Sequence, residues 1–474
     1  MADVASDARV DLAWASAGEI AAAVAAGRAS ATEVIEAALA RIAARKALNA
    51  FTAVVAERAG AKARALDEAR AKCRPLGPLA GVPFAVKNLF DVAGLPTLAG
   101  SKINRDRAPA VRDATLIERL EAAGAVLVGA LNMGEYAYDF TGENVHDGPS
   151  RNPHDTTRMT GGSSGGSGAA VAGGLVPIAL GSDTNGSIRV PASFCGLFGF
   201  KPTYGRLSRA RSFPFVGSLD HVGPLARTTR DLALSYDAMQ GHDPDDPVCA
   251  RRPVEPSLRA LTRDTKGLRI AVAGGYFRRG ASPESVAAVE RVAQALGAAR
   301  ELELPEAGRA RAAAFVITTA EGASVHLNRL RTRANEYDPA VRDRLLSGAL
   351  VPAALVQSAQ KFRRWYRARV LELFADVDVI LAPATPGPAP LIGQQMFALD
   401  GVETPVRANL GIFTQPISFI GLPVVAVPVP LDPLPLGVQI IAAPWREEVA
   451  LAVAHTLEQV GVAKAPRPRI ANGE

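Results

Sequence analysis

Two glycine-flanked serines lie in one segment of the chain, and either hydroxyl could act as a nucleophile. The segment runs from Gly161 to Arg189, with the sequence GGSSGGSGAAVAGGLVPIALGSDTNGSIR, and contains Ser163 and Ser187. A serine hydroxyl becomes a strong nucleophile when a base within hydrogen-bond distance takes its proton. No histidine lies between the two serines. A serine enzyme built on this segment therefore needs a different base.

Three other interpretations apply to a glycine- and serine-rich segment. A flexible linker lacks apolar side chains, whereas this segment contains two apolar runs, 169–172 and 175–180. A phosphate loop requires a Gly-Lys-Ser/Thr sequence, which does not follow here. Residues 161–165 fit the Gly-x-Ser-x-Gly nucleophile elbow of α/β-hydrolases, but an elbow needs a strand directly before the serine. The preceding residues, RNPHDTTRMT, are polar, which disfavours the elbow.

A lysine could complete such a site as the base. Burial disfavours the charged ammonium form, so that a buried lysine can act as a neutral base for a nearby serine. Lys87 directly follows the apolar run Val82–Val86, which has the length of a short buried strand. For a single lysine considered alone, an exposed position at a strand end is the alternative. The combination with the two serines makes Lys87 the candidate base.

The segments that must position these residues alternate between helices and apolar strands. Residues 15–70 are predicted to form two or three helices, with Ser-x-x-Glu capping sequences at Ser16 and Ser30. Further helices are predicted over 114–123, from about Ser167 and over most of 282–375, and strands at AVLVGALN, LVPIALG, LRIAVAGG, VDVILAP, PVVAVPV and GVQIIAA. This order favours the α/β class, as a single large domain over residues 1–474 with a mixed central β-sheet covered by helices. The Pro- and Asp-rich residues at about 241–265 are predicted to be a surface excursion.

Composition narrows the possible functions. The chain has 474 residues, 48% of them hydrophobic and 21% charged, as is usual for a globular protein. Its net charge of +6 is spread over 53 basic and 47 acidic residues, which disfavours nucleic acid as a partner. The apolar stretches are interrupted by glycine and proline and are too short to span a membrane. Three scattered cysteines and six histidines without ligand spacing predict neither disulfides nor a metal site, and we expect a cytoplasmic protein.

Four motifs, in this order along the chain, resemble the amidase signature family of serine amidohydrolases. They are GVPFAVKNLFDVAG (81–94), GGSSGGSGAA (161–170), GSDTNGSIRVPASFCGLFGFKPT (181–203) and LDHVGPLART (219–228). Shorter matches at LNAF, NM, GPSRNP and LPLGVQIIA extend the resemblance over nearly the whole chain. One serine–glycine cluster would be weak evidence, whereas four ordered motifs are specific.

The resemblance implies a Ser–cis-Ser–Lys triad that hydrolyses amides without a cofactor. Ser187 matches the family's nucleophile, Ser163 matches its bridging serine, and Lys87 matches its base. In the family a cis peptide bond precedes the bridging serine, which corresponds here to the bond between Gly162 and Ser163. The family's oxyanion hole, which holds the charge of the tetrahedral intermediate, matches the backbone amides of Thr184, Asn185, Gly186 and Ser187.

This turn departs from the family pattern at one position. The commonest family sequence is TGGS, whereas this chain has TNGS, with Asn185 in the second place. Asparagine tolerates left-handed backbone conformations better than most residues, so we expect the turn to form, with a narrower or more polar pocket. We expect Asp183 and Arg189 to form a structural ion pair that braces the turn.

Within the family, the chain is most similar to the biuret-type branch. That similarity implies ammonia release from a small, anionic, carboxybiuret-like ureido substrate and a small helical partner resembling the C subunit of the tRNA-dependent amidotransferase. We therefore expect an exposed apolar groove for the partner. We also expect an arginine that binds the substrate, with Arg331 as the candidate, beside Arg329 and Arg333. A solvated helix face is the alternative for each of these arginines.

Three alternatives to this function stay open. The motifs also resemble the A subunit of the tRNA-dependent amidotransferase, which hydrolyses glutamine. A generic amidase is the second alternative, and a catalytically silent scaffold is the third. A scaffold would normally have lost one of the triad residues, and this chain retains all three.

Overall fold

The computed structural model describes residues 11–468, and one large β-sheet forms its centre. The strands are β1 (Phe51–Val54), β2 (Pro83–Lys87), β3 (Val126–Leu131), β4 (Arg151–Asn152), β5 (Asp155–Met159), β6 (Ile178–Asp183), β7 (Phe198–Lys201), β8 (His221–Ala226), β9 (Ile270–Ala273), β10 (Arg300–Leu302), β11 (Val379–Pro383), β12 (Met396–Leu399), β13 (Val402–Pro405), β14 (Val424–Val429) and β15 (Leu436–Ala442). The helices are α1 (Ala17–Ala25), α2 (Ala31–Ala44), α3 (Ala56–Ala71), α4 (Thr115–Ala122), α5 (Gly165–Ala172), α6 (Arg189–Phe194), α7 (Thr229–Met239), α8 (Pro283–Ala295), α9 (Ala307–Arg333), α10 (Pro339–Ala349), α11 (Ala353–Leu373), α12 (Val406–Asn409), α13 (Gln415–Ser418) and α14 (Glu447–Gln459).

The sheet has 11 strands in the order β1-β3-β2-β6-β8-β7-β14-β15-β11-β9-β10. It is mixed, because β2 pairs in parallel with β3 and β6, whereas β8 runs antiparallel to β6 and β7. The late strands β11, β14 and β15 lie in the same sheet as the early ones. The predicted α/β class with a mixed central sheet is therefore confirmed.

Burial of the central strands explains their sequences and positions the site. Every residue of β2, β3, β6, β14 and β15 is buried, and these strands are mostly apolar without polar alternation; Gln439 on β15 is a polar exception in mid-strand. Polar residues occur where two of these strands end, Lys87 on β2 and Asp183 on β6. Because β2 and β6 are parallel neighbours, their ends lie at the same edge of the sheet.

The N-terminal segment follows the prediction with one addition. Both predicted capping boxes are present, since Ser16 and Ser30 each cap a helix and pair reciprocally with a glutamate three residues later. The segment contains three helices and also strand β1, which the sequence analysis did not predict. β1 pairs with β3 at one end of the sheet and is partly exposed, so its short run lacks the strong apolar pattern of the central strands.

The remaining segments differ from the predictions mainly at their boundaries. Residues 241–265 contain neither an α-helix nor a β-strand and form one short 3-10 turn, and the surface excursion stays a prediction. The predicted helical block consists of α8 to α11, and β10 interrupts it after α8. None of the helices in residues 11–468 is long and apolar enough to cross a membrane. A cytoplasmic location stays a prediction.

Candidate active site

The side chain of Lys87 is fully buried between two serine hydroxyls. Its Nζ lies 2.6 Å from Ser163 Oγ and 2.9 Å from Ser182 Oγ. Burial lowers the pKa of Lys87 from its ordinary value of 10.5 to about 7, and the negative charges of Asp183, Asp220 and Asp139 offset this effect only in part. A substantial fraction of the lysine is therefore a neutral amine near pH 7.

A loop before α5 holds Ser163 against this lysine. The peptide bond between Gly162 and Ser163 is cis, as predicted. The loop backbone is fixed on both sides, since Gly162 N–H donates to Phe140 C=O at 2.7 Å and Gly134 N–H donates to Ser163 C=O at 3.1 Å. These contacts place the Ser163 hydroxyl on the lysine amine.

The TNGS turn, residues 184–187, joins β6 to α6 and is buried throughout. At Gly186 the backbone has φ = 143°, and a Cβ would lie 2.1 Å from Thr414 Oγ1, so only glycine fits there. Asn185 is not among the residues with positive φ, and its position therefore accepts a side chain. The turn forms with asparagine in place of the family's glycine, as expected.

A fully buried ion pair joins the two ends of this turn. Arg189 Nη2 and Nε each lie 3.0 Å from an oxygen of Asp183, and Asp183 Oδ2 accepts from Ile188 N–H at 3.2 Å. Arg189 also donates to Gln439 Oε1 at 2.6 Å. Burial alone would raise the pKa of the Asp183 carboxyl, but the charge and hydrogen bonds of Arg189 outweigh it and hold that pKa below its usual range. The predicted structural ion pair is confirmed.

Ser187 lines a cavity that is bordered by the TNGS turn. Its side chain is 3% exposed, and within residues 11–468 its hydroxyl has no hydrogen-bond partner. The cavity is lined by Ala137, Tyr138, Asp139, Phe140, Thr184, Asn185, Ser187, Phe215, Phe315, Thr318, Arg344, Arg407 and Gln415. The structure thus brings Lys87 and Ser163 into direct contact and leaves the Ser187 hydroxyl open to a ligand.

The arginines predicted from the sequence lie away from this cavity. Arg331 is exposed near the end of α9, and it does not line the cavity. Arg333 pairs with Asp106 and Glu336. The arginine-rich segment turns back after α9 into α10, where Arg344 reaches the cavity. The sequence analysis missed Arg344 because the direction of that turn depends on helix packing.

The two cavity arginines have different surroundings. Arg407 lies 3.3 Å from Asp139 and 3.6 Å from Asp338, so its charge is already balanced. Arg344 has no carboxylate partner among residues 11–468, and it donates to Tyr138 C=O at 3.3 Å. Burial lowers the pKa of Arg344, but a guanidinium stays protonated at neutral pH. Arg344 is therefore the cavity's cation that remains available to an anionic ligand.

Histidine does not take part in this contact network around the lysine. His221 lines a neighbouring cavity together with Ser182 and Thr184, and burial lowers its pKa well below the usual range. Its Nδ1 lies 2.6 Å from Leu219 C=O, which requires a proton on that nitrogen. Within residues 11–468, no group of three or more His, Cys, Asp or Glu side chains could hold a metal ion.

Comparisons with known proteins identify the family of the chain and similar folds. A family model described as Amidase matches residues 33–451. AtzE of Pseudomonas sp. (strain ADP), which is a 1-carboxybiuret hydrolase subunit, is 54% identical over 450 residues, which cover 94% of this chain and 98% of that protein. The A subunit of the glutamyl-tRNA(Gln) amidotransferase of Azotobacter vinelandii (strain DJ) is 41% identical over 473 residues, with coverages of 93% and 96%. A solved structure described as "An unexpected vestigial protein complex reveals the evolutionary origins of an s-triazine catabolic enzyme. Inhibitor bound complex." has a TM-score of 0.94 at 53% identity, and covers 95% of this chain and 100% of its own.

The buried ion pair leads to a stability prediction. Asp183→Asn leaves the Arg189 charge buried without its counter-ion, and we expect the free energy of unfolding to fall by about 3–5 kcal/mol. Denaturant unfolding followed by circular dichroism measures the loss. The matched control is Asp378→Asn, which breaks an exposed pair with Arg269 and should cost at most about 1 kcal/mol. Equal losses in the two variants would contradict the bracing role.

Proposed function

The chain belongs to the amidase family, and on this premise we propose that it releases ammonia from a small anionic ureido compound of the 1-carboxybiuret type. Amidases hydrolyse the C–N bonds of amides, and the chain is a hydrolase of this class. The observation that carries the substrate class is its greater identity to a 1-carboxybiuret hydrolase than to the glutamine-dependent amidotransferase. Glutamine hydrolysis, in the manner of the amidotransferase, is the second candidate because that protein also matches nearly the whole chain.

In the proposed mechanism Lys87 starts a proton relay. The neutral amine takes the proton of Ser163, and Ser163 takes the proton of Ser187 as the Ser187 oxygen attacks the substrate carbonyl. The contact between Lys87 Nζ and Ser163 Oγ supports the first transfer. Within residues 11–468 no hydrogen bond joins Ser163 to Ser187, so this mechanism requires the second contact to shorten when substrate binds.

The proposed chemistry then proceeds in two balanced steps. In the first, the backbone N–H groups of residues 184–187 stabilise the oxyanion. Collapse of the tetrahedral intermediate breaks the C–N bond, the relay returns a proton to the leaving nitrogen, and ammonia departs from an ester of Ser187. In the second, water attacks the ester carbonyl and gives a proton to the relay. The bond between the carbonyl carbon and Ser187 Oγ then breaks, the relay returns the proton to Ser187 Oγ, and the acid product leaves.

The lining of the cavity beside Ser187 suits an anion, although its volume of about 20 Å³ requires it to widen when a ureide binds. Arg344 supplies a positive charge without a carboxylate partner among the described residues, and a substrate carboxylate would form charge-assisted hydrogen bonds to it. Phe215 and Phe315 supply apolar walls, which strengthen such a charge contact by excluding water. We propose Arg344, in place of Arg331, as the residue that binds the substrate anion.

The triad leads to a kinetic prediction. Lys87→Ala, Ser163→Ala and Ser187→Ala should each lower kcat by about 10³-fold or more, because each change stops the same relay. The triple variant should be slower than the worst single variant by less than about tenfold, since the residues act as a unit. Ammonia release measures all four. Ser164→Ala is the control, because Ser164 Oγ contacts the Ser182 backbone and not the lysine. If Ser187→Ala kept normal turnover and Ser164→Ala lost it, the triad would be wrong and the elbow would be favoured.

The pKa of Lys87 sets the pH dependence. Only the neutral amine can accept a proton, so kcat/KM should fall about tenfold per pH unit below the pKa of about 7 and reach a plateau above it. Activity rises with pH because burial lets Lys87 lose its proton at a lower pH than an exposed lysine would. Rate profiles from about pH 5 to pH 9 measure it. A profile that is flat across this range would contradict the assignment of Lys87 as the base.

Arg344 leads to a prediction on substrate charge. Arg344→Gln should raise KM for 1-carboxybiuret about 10- to 100-fold and change KM for neutral biuret much less, because only the first substrate carries a carboxylate. Arg331→Gln, on the exposed end of α9, is the matched control and should change neither value. The same assay with glutamine tests the proposed function itself. A wild-type enzyme that prefers glutamine to every ureide would overturn it.

We further propose a small helical protein as partner. A groove of about 410 Å³ lies between α9, α10 and α11 and is lined mainly by small and apolar residues such as Leu327 and Val356. Two leucines on the same helical layer are exposed, Leu350 at 83% and Leu355 at 49%. Exposed apolar patches of this kind mark interaction sites, and an amphipathic helix can bury its apolar face in such a groove.

Co-purification tests this surface. The chain is expressed together with a small helical protein encoded beside its gene, and the two should elute as one complex. Leu327→Asp combined with Val356→Asp should abolish the complex, because two charges in the groove then face the apolar side of the helix. Val111→Asp, at an apolar residue that is 99% exposed elsewhere, should leave the complex intact. Full activity and solubility of the chain alone, with no complex formed, would contradict the partner.

A further inference from the structure

The side chain of Asn185 adds a polar group to the turn where the family's commonest sequence has glycine. Its backbone C=O accepts a hydrogen bond from Thr414 Oγ1 at 2.7 Å, and its side chain is only 6% exposed. The side-chain Nδ2 donates to Thr318 Oγ1 on α9 at 3.0 Å. The backbone and the amide nitrogen are therefore both held, and Oδ1 is the one polar atom of this side chain without a hydrogen-bond partner among residues 11–468.

Asn185 Oδ1 is a buried acceptor without a partner. It makes no hydrogen bond within residues 11–468, and the residue lines the same cavity as Ser187, two positions further along the turn. Buried polar atoms in folded proteins are nearly always paired, because an unpaired one loses its hydration without compensation. An acceptor left open at the wall of a ligand cavity indicates that the ligand supplies a donor.

The turn geometry limits which donor this is. In the proposed mechanism the carbonyl under attack points its oxygen at the backbone N–H groups of the turn, so a side chain on the same turn would lie near the atoms next to that carbonyl. In a ureide, the carbonyl carries an N–H on the side away from the leaving nitrogen. In an ordinary amide such as glutamine, that position is a CH₂ group, which cannot donate.

We propose that Asn185 Oδ1 determines specificity by accepting a hydrogen bond from the ureido N–H attached to the carbonyl under attack. The inference rests on the proposed function and names how the site distinguishes ureides from simple amides. A ureide pairs the buried oxygen, whereas an amide places CH₂ against it and leaves it unpaired. Sites that must pair a buried polar group discriminate strongly against analogues that lack the matching group. A neutral amide oxygen also avoids the repulsion that a carboxylate would exert on an anionic substrate.

Biuret and malonamide form a matched substrate pair for the test. They differ only in the central group, which is N–H in biuret and CH₂ in malonamide, and neither carries a charge. The measured quantity is the ratio of kcat/KM for biuret to kcat/KM for malonamide, by ammonia release. The difference in intrinsic reactivity between the two compounds cancels when this ratio is compared between enzyme variants.

Three variants of Asn185 distinguish the effect of the acceptor atom on this ratio from the effect of side-chain size. Asn185→Leu keeps the branched shape of the side chain but removes the acceptor, and the ratio should fall about 10- to 100-fold relative to wild type. Asn185→Asp keeps the volume and the acceptor, and the ratio should stay within about threefold of wild type. Asn185→Gly restores the commonest family sequence, needs no repacking around a larger side chain, and should lower the ratio as Asn185→Leu does.

The outcomes distinguish failure of the inference from failure of the proposed function. A wild-type enzyme that hydrolyses biuret, together with an unchanged ratio in both the Leu and Gly variants, overturns the role of Asn185 and leaves the proposed function standing. An equal loss of kcat/KM for biuret and malonamide also overturns the role of Asn185, because the side chain would then act on the turn or on the leaving nitrogen. A wild-type enzyme that hydrolyses glutamine and malonamide but no ureide overturns the proposed function itself.

Discussion

Removal of water from one lysine amine is the constraint on which the site depends. Lys87 is fully buried at the end of a strand that lies between two parallel neighbours, and this burial is what brings its pKa to about 7. A lysine in that position would be costly as an isolated charge, so the surrounding hydroxyls of Ser163 and Ser182 matter as partners for either protonation state. The central strands and the glycine-rich loop before α5 bury this amine and exclude water from it.

The same edge of the sheet also contains a carboxylate, Asp183, that stays ionised. Asp183 ends β6, next to the end of β2, and its pairing with Arg189 keeps it ionised despite complete burial. Two opposite environments therefore lie on adjacent strands: one favours the neutral form of a base, and the other favours the charged form of a carboxylate. The Asp183 carboxylate holds the turn. Its negative charge also favours the protonated form of Lys87 and so limits how far burial lowers the pKa of that lysine.

The proposed relay and most of the cavity wall come from different parts of the chain, although Asn185 belongs to the same turn as Ser187. The residues assigned to the proposed relay come from β2, the loop before α5 and the turn after β6, which the central sheet positions. The cavity wall, by contrast, receives Thr318 from α9, Arg344 from α10 and Gln415 from α13. Change in the helical layer could therefore alter the substrate while the sheet keeps the lysine buried. This division agrees with the similarity of the chain to relatives whose names describe different activities.

Short sequence patterns were sufficient to predict much of the fold and of the candidate site. The remaining contacts join distant segments and depend on how the helices pack. The α/β class, the buried strands, both capping boxes and the Asp183–Arg189 pair could be predicted, because apolar runs, caps and near neighbours are encoded within a few residues. The motifs also named Lys87, Ser163 and Ser187, although their catalytic roles stay a proposal. Strand β1 was missed because a short, half-exposed strand has no strong pattern. The position of Arg344 at the cavity and the contact from Asn185 to Thr318 join segments far apart in the chain. Only the packing of α9 against α10 and against the turn after β6 could determine them.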